Sequence, residues 1–258
     1  MANDAYFLDD APQIQGIAKP CPGWIVGYTA VIEKLKLQIP LPLVKAMVSE
    51  KYRNVKDESW LVFSAAYLPQ DHASISKIQA LYKHLVFAIK YEGVNLLVFA
   101  KLREQLSNKE LLALVNIEPL GQYSRRIWFL LEWVSGKPIV GKSDISKKSY
   151  VPVVDSKLQF AVAGIKSPRH LVLNNLPGTN QFCALIRKTE KIEQHLSKSY
   201  EEENRKQLAG IRKDIIQRAS AFLLLKDSKA SFTIEGESPK SKRAARWGIA
   251  IGQAGLND

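Results

Sequence analysis

Lys77-Ile78-Gln79-Ala80-Leu81-Tyr82-Lys83-His84-Leu85-Val86-Phe87-Ala88-Ile89-Lys90-Tyr91-Glu92-Gly93 is the most regular stretch of this chain. Ile78, Leu81, Leu85 and Ala88–Ile89 recur three or four apart, which predicts one apolar helix face, and Gly93 stands where a C-cap would stop it. Downstream the pattern persists. Asn95 can cap a helix running to about Leu106, and Leu111 to Ile117 and Gln122 to Val134 supply two more, the last closed by Gly136 and Pro138. His84 sits beside the apolar face and reads as a core-edge residue rather than a ligand. Trp128 and Trp133 share an otherwise apolar helix and read as core anchors rather than base-stacking platforms.

Upstream, Pro12, Gly16, Pro20, Pro22 and Gly23 mark residues 1–23 as an irregular arm. Trp24 to Leu37 reads as a helix ended by Pro40 and Pro42, and Leu43 to Arg53 as a second, short one. Ser59-Trp60-Leu61-Val62-Phe63 reads as a strand. Helix, helix and strand in this order suit part of a small winged-helix-like unit. Tyr150 to Phe160 suggests a short strand pair that Pro152 confines to an edge. Asn174-Asn175-Leu176-Pro177-Gly178-Thr179 is a turn by composition. After it, Phe182 to about Ala209 reads as a polar helix, with Glu201/Arg205 and Glu202/Lys206 at supporting spacing. Gly210 breaks it, and a new helix begins near Arg212. The expected fold is therefore mainly α with a small β component. Residues 24–200 form a helical module and residues 201–258 a second one.

The chain has 258 residues, 46% hydrophobic and 24% charged, enough for a substantial core. Two distant cysteines, Cys21 and Cys183, argue against a disulfide framework or a zinc site. No secretory leader is visible and Ile127-Trp128-Phe129-Leu130-Leu131 is too short to span a membrane, so a cytoplasmic location is expected. The net charge is +12, and residues 71–200 hold nineteen basic against ten acidic residues. Such an excess suits either a solvated basic surface or attraction to nucleic acid and phosphates.

Four histidines occur: His72, His84, His170 and His195. His170 and Cys183 are too isolated for a protease-like pair. Asn175 to Thr179 lacks the Gly-Lys pair of a phosphate-binding loop. The C-terminal run Leu223-Leu224-Leu225-Lys226-Asp227-Ser228-Lys229-Ala230-Ser231-Phe232-Thr233-Ile234-Glu235-Gly236 is more informative. Ser231 and Glu235 stand one helical turn apart on one face, and Gly236 followed by Pro239 ends the helix.

That run resembles the inhibitory helix of Fic-type AMP transferases, whose pattern is Ser or Thr, three variable residues, Glu, then Gly or Asn. Lys90-Tyr91-Glu92-Gly93, Arg125-Arg126-Ile127-Trp128-Phe129-Leu130, Val172 to Thr179 and Ala219 to Gly255 are similar to the same group of longer bacterial Fic proteins. The likeness covers most of the chain from about residue 24. It implies that residues 201–258 open a Fic domain. In that family the inhibitory Glu pairs with an arginine that would otherwise grip the γ-phosphate of ATP. The resemblance thus implies that Glu235 is the inhibitory carboxylate, that Ser231 holds the helix or its neighbour by a hydroxyl hydrogen bond, and that Gly236 lets the chain turn away.

The family's catalytic pattern is His-x-Phe-x-(Asp or Glu)-Gly-Asn-Gly-Arg. Two residues after the four histidines come Ser74, Val86, Val172 and Ser197, never Phe, and Gly-Asn-Gly is absent. The expectation is a regulatory portion, inactive alone, ending at Asp258 before any catalytic motif. It has no catalytic, cofactor or metal residues of its own. ATP and Mg²⁺ are implied for the full-length relative, and the partner is a catalytic Fic half in cis or in trans. Residues 24–200 would serve recognition or homo-oligomerisation. Two other readings stay open: a basic DNA-binding module and an inactive truncated remnant.

Overall fold

The computed structural model describes residues 12–50, 59–68, 75–142, 149–198, 205–207, 209–234, 236 and 246. The chain divides into two compact units, Met1–Glu190 and Lys191–Asp258.

The first unit opens with a hairpin, β1 (Gln13–Ile14) against β2 (Ile17–Ala18), turned through Gln15 and Gly16, both at positive φ. The irregular arm expected over residues 1–23 thus contains a small strand pair. Next come β3 (Trp24–Val26), α1 (Gly27–Leu35), β4 (Lys45–Ser49) and β5 (Trp60–Ser64), the last followed by a 3₁₀ turn over Ala65–Tyr67. β4 is central: β3 pairs with it antiparallel, Trp24 opposite Val48, and β5 parallel, Lys45 opposite Trp60.

Here the expected mainly α fold is corrected. With 45% helix, 14% strand and three small sheets, the protein is mixed α and β. The helix expected over Leu43 to Arg53 is strand β4, and the helix expected from Trp24 begins only after β3. Strand, helix, strand, strand replaces the winged-helix-like order. The cause is burial. All five residues of β4 are buried, so no alternation marks it as a strand.

Four helices follow. α2 (Lys77–Tyr91) starts with a capping box in which Ser76 and Gln79 satisfy each other's amides. α3 (Leu96–Gln105) is capped by Asn95, and α4 (Asn108–Val115) by a second box, Ser107 with Glu110. α5 (Gln122–Ser135) ends on Gly136 in the left-handed conformation. α1 packs on α2, and α5 on α3 and α4. Tyr28, Ile32, Leu85, Phe99, Leu114 and Trp128 are among the side chains that fill the core between them.

A third sheet, β6 (Val151–Pro152), β8 (Val172–Asn174) and β7 (Ile165–Ser167), lies against α5. Pro152 falls on the edge strand β6, as its missing donor requires. The long polar helix expected over Phe182 to Ala209 is not formed. Residues 182–188 run extended, with Phe160 donating to Ile186 O and Lys188 to Leu158 O, and α6 covers only Glu190–Leu196. Residues 199–204, including Glu201 and Glu202, lie outside the described residues. In the second unit α7 (Lys213–Ile234) starts where the sequence places it. Among the described residues no helix is long and apolar enough to cross a membrane.

Candidate functional site

Ser231 lies on the last turn of α7 and is exposed. Phe232 beside it is buried, and Thr233 Oγ1 donates back to Lys229 O at 2.9 Å. Gly236 donates to Thr233 O at 3.1 Å and holds φ at +73°, a conformation that favours glycine. A Cβ there would meet nothing within 4 Å, so Gly236 serves the backbone turn and not a close contact. Glu235 lies outside the described residues.

The rest of α7 is apolar on two sides. Leu224 and Leu225 are half-buried and Phe232 buried, whereas Ile215, Phe222, Leu223 and Ile234 are exposed. At about 100° per residue these four fall within about 120° of the helix circumference. Exposed Lys226 and Thr233 fall within the same arc.

A second arrangement sits in the first unit where α1 begins and α2 ends. β3 runs into α1 without a local side-chain cap. Gly27 N donates instead to His84 Nδ1 at 3.2 Å, and Tyr28 N to Glu92 Oε1 at 3.1 Å. Gly27 is at φ +66°, and any Cβ there would collide with the Glu92 carboxyl. Tyr28 Oη donates to Gly93 O at 2.8 Å and accepts from Asn95 N at 3.2 Å. Gln159 clamps Val94 through both its N–H and its C=O.

Burial governs the ionisation of both side chains. It raises the Glu92 carboxyl to about 8, opposed first by the Tyr28 amide and then by the charge of Arg187. It lowers the His84 imidazole to about 3. His84 is therefore a fully buried neutral acceptor rather than a core-edge residue. A cavity of about 510 Å³ opens beside this junction, between Tyr28, Glu92, Leu96, Cys183 and Arg187. Arg187 Nη1 donates to Glu92 O at 2.8 Å on its wall.

The third arrangement joins α5 to the β7–β8 turn. Glu132 Oε1 accepts from Trp128 Nε1 at 2.7 Å and from Ile139 N at 2.8 Å. Arg169 bonds both carboxylate oxygens, at 3.1 and 3.2 Å, and His170 Nε2 reaches Oε2 at 2.9 Å. Burial acts to raise Glu132, but Arg169, the Ile139 amide, Trp128 and His170 together hold it down at about 2.

Ser167 Oγ lies 2.8 Å from His170 Nδ1, so hydroxyl, imidazole and carboxylate stand in the order a nucleophilic triad uses. The surroundings favour a strut. The Trp128 and Phe129 rings pack on the imidazole at 4.5 and 5.3 Å, and His170 is buried. Neighbouring Arg125 and Arg126 are buried and bond backbone carbonyls of Ser149, Leu171 and Val153.

Sequence reading passed over Glu132 and treated His170 as isolated. The two are 38 positions apart, and no local spacing announces their contact. Among the described residues no three His, Cys, Asp or Glu side chains group to hold a metal ion. No family model, curated protein or solved structure matches the chain.

Proposed function

We propose that this chain is the regulatory portion of a Fic-type AMP transferase, and that residues 213–236 act as its autoinhibitory segment. The observation that carries the reading is α7 itself, with its apolar stripe of Ile215, Phe222, Leu223 and Ile234 uncovered. The stripe supports a partner that packs around the helix, and a catalytic Fic half in cis or in trans is the one that the resemblance names. Ser231 on the last turn of α7 and Gly236 at positive φ support the reading.

The mechanism is a competition for one arginine of the catalytic half. A planar guanidinium pairs two-pronged with either a carboxylate or a phosphate. While Glu235 holds that arginine, the γ-phosphate of ATP loses its clamp and the nucleotide rests unproductively. The chain contributes the brake, and the base, the magnesium ligand and the phosphate cradle come from the catalytic half.

The test is ATP-dependent AMP incorporation by the chain joined to its catalytic half. Glu235→Gly is expected to raise labelling of the protein or of a target well above wild type, about tenfold or more if a charge-assisted pair of about 1.5–3 kcal/mol is lost. Labelling unchanged by the substitution removes Glu235 from the role.

A further inference from the structure

α2 carries two apolar faces. Leu81, Leu85, Ala88 and Ile89 enter the core. On the opposite side Lys83, Val86, Phe87, Lys90 and Tyr91 form a stripe at offsets of 0, 3, 4, 7 and 8 residues, the spacing of a helix face. This outer stripe meets β5 and the 3₁₀ turn after it in a ring cluster. Phe63 lies 5.2 Å from Phe87 and 4.8 Å from Tyr91, and Tyr67 lies 5.6 Å from Tyr91, centroid to centroid.

Beside the rings lies a cavity of about 310 Å³, lined by Tyr67, Val86, Phe87 and Tyr91 together with Lys83 and Lys90. Tyr67 is 48% exposed. Lys90 Nζ stands 4.9 Å from the Tyr91 ring, and Tyr91, the nearest of the surrounding tyrosines, raises its ammonium further above neutrality. Among the described residues the carboxylate on the wall is Glu118, which accepts from the Tyr82 hydroxyl at 2.9 Å.

We propose that this slot binds single-stranded nucleic acid, one base stacking on the exposed Tyr67 ring while Lys83 and Lys90 take phosphates. The two lysines are two helical turns apart, about 10 Å along α2, on the same helix face. Alternating cations and open ring faces complement a strand that alternates phosphates and bases. A duplex keeps its base faces stacked inside and offers the slot nothing to hold. The chain's net charge of +12 supplies the long-range attraction. The inference is independent of the Fic reading, because none of its residues lies on α7.

The experiment is fluorescence anisotropy of the full chain with a labelled oligo(dT) and with a duplex of equal length, across a salt series. The single strand is expected to bind at least tenfold more tightly than the duplex. Lys83→Ala with Lys90→Ala should weaken binding about tenfold and flatten the slope of log affinity against log salt by about 1.4, since each phosphate on a single strand contributes about 0.7. Tyr67→Ala should weaken binding about fivefold or more at unchanged slope, as lost stacking would. Equal binding of duplex and single strand overturns the proposal, as do variants that bind like wild type, which would mark a diffuse basic surface. So does capture of an acidic, tyrosine-containing peptide by a chain that ignores the oligonucleotide.

Discussion

At the start of α1, burial acts on two titratable side chains in opposite senses, and pH separates them. Glu92 stays protonated in the fold up to about 8, whereas in the unfolded chain it ionises near 4.5. Between these values the native state binds the extra proton, so this group's contribution to stability falls as pH rises. His84 stays neutral in the fold down to about 3 but takes a proton near 6.5 once unfolded, so its contribution is lost as pH falls below 6.5. The two offset each other between about 4.5 and 6.5. From 6.5 to 8 only Glu92 of the pair still differs, with a slope of at most about 1.4 kcal/mol per pH unit. Glu92→Gln keeps an acceptor for Tyr28 N and removes the titration. Its urea-unfolding free energy should therefore lose that slope between pH 6.5 and 8, and an unchanged slope would place the titration elsewhere. Lys90-Tyr91-Glu92-Gly93 stood out in the sequence, but nothing local revealed a carboxyl aimed at an amide 64 positions earlier.

Among the elements, those with their instructions close at hand were legible. Asn95 starts α3 and Gly136 ends α5, as the sequence indicates, whereas the caps Ser76 and Ser107 were not read and α4 begins three residues before the expected Leu111. β4 was not legible, because a strand buried on both faces carries no alternation. Residues 182–188 were misread for a related reason: their partners, residues 158–160, are distant in sequence. α5 adds a testable case of the same kind. Glu132 ties it to Ile139, Arg169 and His170, so Glu132→Gln leaves Arg169 without its carboxylate and should cost about 3 kcal/mol in urea denaturation. Ser167→Ala, which removes only the outer hydroxyl, should cost below about 1 kcal/mol. A glutamine variant within that smaller range would show that the ion pair contributes little.

For the molecule as a whole, the described hydrophobic clusters draw almost entirely on residues 14–185, inside the first of the two units. A fragment of residues 1–190 should therefore unfold in one cooperative transition, its midpoint within a few degrees of the main transition of the intact chain by circular dichroism. A broad, non-cooperative melt would mean that the core needs the remaining residues. The proposed function rests on a likeness carried by short runs, whereas the contacts of His84, Glu92 and His170 span 38 to 64 positions and leave no local spacing to read. The way α1 begins has a kinetic consequence. Its first amides are satisfied by His84 and Glu92, 57 and 64 positions away, so the helix cannot terminate correctly until α2 exists and has docked. α2, α3 and α4 carry local caps and can nucleate early, whereas α1 waits for a loop closure of some sixty residues. On this order the strand–helix junction at Gly27 forms among the last features of the folding reaction, and its disruption should show in the unfolding rate before it shows in the folding rate.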